Sequence, residues 1–572
     1  MIQNEMVSHD FSLRHNWWFD SGLAGLRSIA VEMRDKIEDY KDVRITVTDR
    51  LLTFQAPSRE VLRNLLDDCY SILADRYWNV SDKKQQESNE LVIYNQENDE
   101  LGLIPKRKPT PIPSLFTKGS SWRAEAEEYI TLSTEIKQRV DEFLKSNNKK
   151  LWGNKKMLLY GPPVCHPQLD LFPERHRKNT CCICGREMVC SDVTQTAFLL
   201  FASKTAALSF NSQAKRPDKI CWECDYLSKF ALESAFYKQS GDNLFILQLV
   251  TENVQKMIDS QAVLSSNKAV RKLDEDNFRA NIGAYKQDNK LLFYAQLPYE
   301  LLWAFFYDTY SLLREEANSR EDYTEDEKDE FCTRPFIETP VQLVLLRVAT
   351  KGQTFITKEI IYYTETAYIF RLINEIQKKA SSSDKLLYNL FHDLYLPREG
   401  KTFDLNNCLC RNLILQKVLQ KKSVLQEFER LAFRKCQTQA FPYLGNMLKF
   451  IQQYEAMVRE GISMTKEHIE LAVNLGQQIV IGAKGKNTEK EGKDSNFDRV
   501  KGDMFALRKT RTVTDFLEQL NRIQFRYNFT VSNQILKGIL HEPAVKFEDF
   551  KAYCLMAALN TYNSFKRPKS KD

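Results

Sequence analysis

The hydrophobic pattern near the start of the chain predicts a β-hairpin followed by a helix. Apolar and polar residues alternate from Val43 to Val47 and again from Leu52 to Phe54, with a turn between the two runs. Such alternation is typical of strands that bury one face. Apolar residues then recur at helical spacing from Leu62 to Tyr77, after the start signal Pro57-Ser58. We expect this helix to pack one apolar stripe on the sheet.

The middle of the chain has a mostly helical pattern. Trp122 to Leu144, Asp225 to Asp259 and Glu300 to Arg314 have helical spacing, and Leu291 to Leu297 is a candidate strand. The stretch from Glu315 to Glu330 contains nine acidic residues, which predicts a solvated loop that would repel DNA.

The C-terminal part predicts a helical bundle. Short loops separate the amphipathic segments there, which is typical of helices that pack on their neighbours. The predicted helices are Lys466 to Gly482, Phe497 to Leu507, Val513 to Phe525, Ser532 to Leu540 and Phe547 to Tyr562.

The composition indicates a globular protein with large cores, because 43% of the 572 residues are apolar and 11% are aromatic. No run of about 18 apolar residues occurs, so we expect no membrane span. The N-terminus lacks the basic start and apolar core of a signal peptide, and the thirteen cysteines are an odd number. These features predict a soluble protein in a reducing cytoplasm.

The net charge of +6 comes from one part of the chain. Residues 464–572 contain 19 Lys and Arg against 13 Asp and Glu, and this excess of six equals the whole net charge. A basic segment with periodic apolar residues suggests a helical module that faces phosphate. A solvated basic face without a ligand is the commoner cause of such an excess and stays open as the alternative.

The most specific chemical pattern is a pair of C-x2-C motifs separated by 36 residues. Two such pairs can place four thiolates around one Zn²⁺ in a closed tetrahedral site, which is structural because no position is left for water. The predicted zinc ligands are Cys181, Cys184, Cys221 and Cys224.

Two further cysteines, Cys182 and Cys190, crowd the first motif and leave the choice between Cys181 and Cys182 open. Cys181 keeps the x2 spacing, and Gly185 suits the tight turn that follows. We predict a multidomain α+β protein. Its parts are a mixed α/β N-terminal domain at 1–174, an inserted four-cysteine zinc module at 175–230, a mostly helical continuation of the large N-terminal domain at 231–445 and a basic helical bundle at 446–572.

Catalytic motifs are incomplete or missing. Leu158 to Pro163 resembles the opening of an ATPase phosphate loop, but Val164 to Pro167 follows where Gly-Lys-Ser/Thr must stand. His392 and Asp393 would be half of a metal-dependent phosphohydrolase site, yet that chemistry needs further histidines and the chain has only seven. We therefore expect a protein that is not an enzyme, and keep a metal-dependent nuclease using His392 and Asp393 as an alternative.

Several stretches resemble the CRISPR-associated large subunit of the type I-B Cascade effector complex. The middle third of the chain agrees with that family only in length and order. The N-terminal stretches that carry the resemblance are His15 to Leu26 (HNWWFDSGLAGL), Cys181 to Arg186, and Ser209-Phe210-Asn211 leading to Ile220 to Cys224. The C-terminal ones are Phe497 to Leu520 and Phe547 to Tyr553, which are similar to that family's C-terminal helical domain.

The resemblance implies a non-catalytic subunit of a prokaryotic, cytoplasmic complex that a guide CRISPR RNA directs to DNA. The N-terminal domain would sit beside the 5′ end of the guide, read the protospacer-adjacent motif in duplex DNA and help to open the first base pairs of the R-loop. Guide pairing would then supply sequence specificity. The C-terminal bundle would lie beside small subunits and steady the displaced strand. A separate helicase-nuclease, or a transposition apparatus, would be recruited.

Two groups of basic residues are candidates for DNA contact in that context. A displaced strand needs a basic groove of no particular sequence preference, and the C-terminal candidates are Lys501, Arg508, Lys509, Arg511, Arg522 and Arg526. Between Ile104 and Pro113 three adjacent cations lie among prolines, in a loop that would press on phosphates or serve as an exposed linker. The candidates around this loop are Lys106, Arg107, Lys108, Lys118 and Arg123.

Two further hypotheses concern a second start of translation and a third class of function. Arg459-Glu460-Gly461 can be encoded by a purine-rich run resembling a ribosome-binding site, so translation could restart at Met464 and give a separate 109-residue small subunit. Met447 and Met457 are competing starts. The third function class, besides the Cascade subunit and the nuclease, is a zinc-bearing interaction scaffold that binds no nucleic acid.

Overall fold

The chain forms two compact units in a computed structural model. The first contains Met1–Asn281 and Pro335–Thr366, and the second contains Ile282–Arg334 and Ala367–Asp572. The fold is α+β as predicted, with most strands in the first unit and helices dominating the second. The four finer domain boundaries stay a prediction. The structure describes residues 6–77, 90–105, 122–123, 125–161, 164–172, 179–193, 219–240, 243–265, 284–287, 290–337, 341–351, 354–379, 386–396, 405–439, 441–458, 464–485 and 496–567.

The first unit begins with a three-stranded antiparallel sheet of order β1-β3-β2. Leu52, Phe54 and Ala56 are fully buried at alternate positions, which confirms the predicted hairpin and its period of two. The predicted helix packs on the sheet. The elements are β1 (Val7–Ser12), α1 (Trp17–Lys36), β2 (Arg44–Val47), β3 (Leu51–Ala56) and α2 (Arg59–Tyr77).

A four-stranded sheet of order β5-β4-β8-β7 and one helix surround a small core of their own that includes Val92, Val140 and Leu158, and β6 pairs separately with β9. The prediction of one helix from Trp122 to Leu144 is wrong in its first half, because two short strands precede a helix that begins only after its cap, Ser133. The elements are β4 (Glu90–Asn95), β5 (Glu100–Pro105), β6 (Trp122–Arg123), β7 (Ala126–Glu128), α3 (Thr134–Asn147), β8 (Met157–Leu159) and β9 (Val164–Cys165).

Short strands and one helix then carry the two cysteine pairs. Both strand pairs are antiparallel, and Cys190 lies opposite Cys221 in the second of them. The elements are β10 (Asn179–Thr180), β11 (Glu187–Met188), β12 (Cys190–Asp192), β13 (Lys219–Cys221) and α4 (Trp222–Phe230).

A four-stranded antiparallel sheet, of order β14-β15-β18-β19, completes the first unit. The prediction of helix from Asp225 to Asp259 is wrong in its centre, where β14 and β15 run. Between β15 and β18 the chain contributes the segment Ile282–Arg334 to the second unit. The elements are β14 (Phe236–Ser240), β15 (Asn243–Val250), α5 (Val254–Ser265), β16 (Ala284–Gln287), β17 (Lys290–Tyr294), α6 (Pro298–Asn318), α7 (Glu325–Ile337), β18 (Gln342–Lys351) and β19 (Thr354–Tyr363).

The acidic stretch from Glu315 to Glu330 is helical at both ends, so the loop prediction is wrong for most of it. Acidic residues in the first turn of α7 favour a helix through its dipole. Arg314 of α6 binds Glu325 and Asp329 of α7, with Nη to carboxylate distances of 2.5 and 2.6 Å. The negative charge is thus partly neutralised within the unit.

The rest of the second unit is helical, and four of the five predicted C-terminal helices are confirmed within a few residues. The prediction of one helix from Ser532 to Leu540 is wrong in its second half, because the helix ends at Leu536 and Gly538, with a φ of +94°, separates it from a 3-10 turn at Ile539–His541. Gly476 allows α13 and α17 to lie close, since a Cβ there would stand 2.1 Å from the carbonyl oxygen of Cys554. The helices are α8 (Thr366–Lys379), α9 (Leu386–Asp393), α10 (Leu405–Leu419), α11 (Leu425–Thr438), α12 (Gly445–Val458), α13 (Lys466–Gly485), α14 (Asn496–Lys509), α15 (Val513–Tyr527), α16 (Asn533–Leu536) and α17 (Phe547–Lys566). Among the described residues, no helix has the length and apolar character needed to cross a membrane.

Candidate metal centre and basic surface

The four predicted cysteines come together in the first unit. All four Sγ atoms of Cys181, Cys184, Cys221 and Cys224 lie within 4.8 Å of one another. The Sγ atoms of Cys184 and Cys221 are 3.8 Å apart. Four thiolates at about 2.3 Å from one Zn²⁺ have a tetrahedral edge of about 3.8 Å, so the cluster has the size of a four-thiolate metal site.

The first cysteine pair lies in a tight turn between β10 and β11. Gly185 has a φ of +70°, a conformation that favours glycine, and its N–H donates to the carbonyl of Cys181 at 2.9 Å. The backbone N–H groups of Ile183 and Cys221 donate to the Cys181 sulfur at 3.4 and 3.3 Å. These bonds stabilise negative charge on the sulfur, which a metal ligand carries.

The second pair stands at the start of α4. Cys221 is both the last residue of β13 and the N-cap of α4, and its sulfur accepts from the N–H of Cys224 at 3.5 Å. A helix N-terminus stabilises thiolates through its dipole. Hydrogen bonding from Cys224, helped by Arg186 and opposed by burial, lowers the pKa of Cys184 to about 5. The pKa of Cys181 is lowered as well, whereas hydrogen bonding to the neighbouring cysteines and burial raise the pKa values of Cys221 and Cys224.

The structure also distinguishes the two adjacent cysteines. Cys181 is buried in the cluster, whereas Cys182 is exposed. Cys190 lies outside the cluster, and its sulfur donates to the carbonyls of Asn179 and Met188 at 3.3 and 3.4 Å. The geometry thus selects the x2-spaced pair.

A buried carboxylate links the cluster to the first strand and loop of the chain. Glu223, between the last two cysteines, accepts from Arg14 Nη2 at 2.5 Å and from Arg186, and lies 3.4 Å from His9 Nε2. Burial would raise the pKa of Glu223, but His9 and the two arginines together lower it. Sequence reasoning missed this network, because 209 positions separate Arg14 from Glu223.

The stretch HNWWFDSGLAGL contains the residues through which α1 packs on α4, the helix that carries Cys224. A Cβ at Gly22 would stand 2.1 Å from the carbonyl oxygen of Leu227, and one at Gly25 would stand 2.0 Å from that of Phe230. The indole N–H of Trp18 donates to the carbonyl of Ser228 at 2.9 Å. The two glycines thus allow α1 to lie directly on α4.

Part of the predicted nucleic-acid surface cannot be compared with the structure. Lys106, Arg107, Lys108 and Lys118 lie outside the described residues, as does the side chain of Arg123 in β6. Ser209-Phe210-Asn211 also lies outside them.

Three of the six C-terminal candidates hold the bundle together. Arg508 Nε donates to Glu429 at 2.6 Å and its guanidinium lies over the Phe433 ring, while Lys501 donates to the carbonyl of Cys436 at 2.5 Å. Arg526 binds both carboxylate oxygens of Asp503 at 2.7 Å. These side chains have internal partners, which charge counts along the sequence cannot reveal.

The other three candidates are exposed. Lys509, Arg511 and Arg522 form no ion pair with any residue in the described ranges. On α15, Phe516, Leu520 and Ile523 are buried, so Arg522 lies on the outward side as predicted. We call these three the basic surface.

The pair considered for nuclease chemistry has a different environment. His392 Nδ1 lies 3.7 Å from Asp393 Oδ1, and Asp393 Oδ2 accepts from the amide of Asn446 at 2.8 Å. Within the described ranges, the cysteine cluster is the only group of three or more side chains placed to hold a metal.

Comparisons with known proteins do not identify the chain, because no model of a known protein family matches it and no curated protein is significantly similar to it.

Proposed function

We propose that this chain is the large subunit of a guide-RNA-directed DNA surveillance complex of the type I-B Cascade kind, and that it is not an enzyme. The observation that carries the proposal is that one stretch on which the resemblance rests packs on α4, the helix whose first turn contains the end of another such stretch, Ile220 to Cys224. The stretch from His15 to Leu26 packs through Gly22 and Gly25 on α4, which begins directly after Cys221. Shared residues that assemble one core support a common fold better than scattered matches would.

We propose zinc as the metal of the cysteine cluster. The donors are four sulfurs, which zinc accepts in tetrahedral geometry, and they leave no open position for a substrate or a catalytic water. The ion would hold α4 against the β10–β11 turn. Its proposed role is structural.

The proposed roles in DNA recognition follow the two units. The first unit would sit at the guide 5′ end and read the protospacer-adjacent motif, and the basic surface of the second would contact the displaced strand during R-loop formation. The complex would then recruit a helicase-nuclease or transposition proteins in the cytoplasm of a prokaryote. A product starting at Met464 would contain α13 to α17 but would lack Glu429, the partner of Arg508.

Purification of the tagged chain from its native host tests the proposal. We expect it to bring down a short RNA with a constant 5′ end and variable guide sequence, together with sister subunits. A zinc-loaded chain that copurifies with no RNA would instead favour the scaffold alternative. DNA cleavage in Mg²⁺ or Mn²⁺ that His392→Ala abolishes would contradict the non-enzymatic role and favour the nuclease.

The basic surface gives a second test. Arg511→Glu with Arg522→Glu should weaken binding of a single-stranded oligonucleotide and reduce the slope of log K against log salt by about 0.7 for each phosphate that the protein no longer neutralises. Fluorescence anisotropy at several salt concentrations measures both. Arg430→Glu with Arg434→Glu, at two other exposed arginines of the same unit, changes the charge by the same amount and is the control for charge alone. An equal effect of that control would contradict a specific basic surface.

A further inference from the structure

The first half of the HNWWFDSGLAGL stretch lines a cavity, whereas Gly22 and Gly25 in its second half pack on α4. The cavity has a volume of about 700 Å³ and lies within the first unit. Its walls come from the entrance of α1, the segment from the end of β15 to the start of α5, and the outer ends of β18 and β19. This volume is in the range of pockets that bind small organic groups.

Two aromatic side chains provide the apolar part of the wall. Trp17 is half-buried and its ring contacts Trp18 edge to face at 5.6 Å, which fixes its position. Tyr362 is 54% exposed, on the opposite face of β19 from its buried neighbour Tyr363, the last residue of the strand. Exposed aromatic rings at a cavity offer flat surfaces on which a planar ligand stacks.

The polar part of the wall consists mostly of amide side chains and one cation. Asn16, Asn253 and Gln342 supply amide side chains. The Oδ1 atoms of Asn16 and Asn253 accept from the N–H groups of Trp18 and Lys256 at 3.1 and 2.9 Å, so these two amides offer a ligand their NH2 groups, which can donate to the acceptors on the edge of a nucleobase. Lys256 is exposed at the wall. Asp20 also lines the cavity, but its carboxylate accepts from the N–H groups of Arg14 and Asn16 at 2.5 and 2.8 Å.

The charge of the wall limits the ligand. The charged side chains of the wall are Lys256, the exposed Glu252 and the hydrogen-bonded Asp20, and no arginine among the described residues lines the cavity. A nucleoside triphosphate carries too much negative charge for one lysine beside a carboxylate, and an aliphatic lipid chain would leave the amides unpaired. A planar base that carries a single bridging phosphate matches both the rings and the one lysine.

The backbone at the cavity entrance is strained. His15 has a φ of +54°, in the left-handed region that residues other than glycine seldom adopt and that histidine, asparagine and aspartate enter more often than most. Such strain persists where the surrounding structure enforces it and is frequent at binding sites. Here it directs the chain from β1 into α1 and places His15, Asn16 and Trp17 together on the wall.

We propose that this cavity holds a single unpaired nucleobase of a nucleic-acid strand, stacked on Trp17 and Tyr362, with its phosphate beside Lys256. The inference rests on the proposed nucleic-acid-binding function and assigns it a base-binding site in the first unit. An unpaired base has its full edge free for the amides, whereas a paired base inside a duplex does not.

The test uses the full-length chain and short single-stranded oligonucleotides, one set RNA and one DNA, each with a matched version that lacks bases. Tyr362→Ala should weaken binding of the normal oligonucleotide about tenfold and leave binding of the abasic one unchanged, since the variant removes a stacking surface and keeps the cation that faces the phosphate. Trp17→Phe should retain most of the affinity. Lys256→Ala should weaken both oligonucleotides. Tyr443→Ala, at a tyrosine 44% exposed in the second unit, is the matched control.

Crosslinking locates the base directly. An oligonucleotide carrying 5-iodouracil should crosslink under ultraviolet light to a peptide containing Trp17 or Tyr362, as identified by mass spectrometry. Normal affinity of Tyr362→Ala, an equal loss for abasic strands, or crosslinks found only elsewhere would overturn the base site. If native purifications still contain guide RNA, that failure leaves the proposed function intact. Absence of guide RNA and of any single-strand binding would overturn both. The RNA and DNA sets show which strand supplies the base.

Discussion

Replacing Cys221 with serine is expected to remove the metal and to unfold the core around α4. Cys221 contributes a sulfur to the cluster, caps α4 and donates its N–H to the sulfur of Cys181 at 3.3 Å. Structural zinc contributes about 10–16 kcal/mol in small zinc domains, and the whole net stability of a protein is about 5–15 kcal/mol. The loss of one ligand therefore affects a large part of the stability of the first unit.

Metal content and urea unfolding measure this effect together. We expect about one zinc per chain in the original protein and close to none in Cys221→Ser, with a lower urea midpoint and poorer solubility. A chelator should have the same effect on the original protein. The matched controls are Cys190→Ser and Cys182→Ser, which change cysteines outside the cluster. Retained zinc and an unchanged midpoint in Cys221→Ser would exclude a structural metal at this position.

The helices α2 and α15 could be predicted because each buries one stripe and exposes much of the rest. The strands β15 and β18 could not, because β15 is buried almost throughout, β18 is buried over four successive residues from Leu343 to Leu346, and their sequences NLFILQLV and QLVLLRVATK show no clear alternation. A short, continuous apolar run fits a buried strand and a buried helix equally well. The acidic helix α7 was missed for a related reason, since its support comes from Arg314 on another helix.

The candidate functional residues likewise divide into those whose role the sequence could predict and those whose role it could not. Cysteine spacing is a local pattern with few chemical explanations, so the four ligands could be read from the sequence. The roles of Glu223 and Arg508 depend on partners far along the chain, Arg14 and Glu429, and only the folded structure brings them together. Three of the six C-terminal candidates for DNA contact, Lys501, Arg508 and Arg526, therefore bind partners inside the second unit.

The glycine stretch shows how a sequence signature can combine two roles. Gly22 and Gly25 serve packing, because any side chain there would strike the backbone of α4. Trp17 and the residues before it line the cavity instead. Substitutions in the two halves should thus separate stability from binding.

The second unit contains the other site of large expected effect, a fully buried ion pair between α6 and α10. Arg411 Nε donates to Glu300 Oε1 at 2.6 Å, and the guanidinium lies 3.9 Å from the centre of the Phe391 ring. The second carboxylate oxygen of Glu300 accepts from the N–H groups of Gln296 and Leu297 at 2.8 and 3.1 Å, which caps the start of α6. Both side chains are inaccessible to solvent.

Arg411→Met should lower the free energy of unfolding of the second unit by about 3–5 kcal/mol, because it leaves the Glu300 carboxylate buried without its partner. Adding Glu300→Gln should recover part of this loss, since an amide carries no charge yet still accepts from the N–H groups that begin α6. Arg434→Met, at an exposed arginine of α11, should change stability by less than about 0.5 kcal/mol. Urea denaturation followed by circular dichroism measures all three. If the double variant is no more stable than Arg411→Met, the stranded charge is not the cause, and the loss must come instead from the stacking of Arg411 on Phe391.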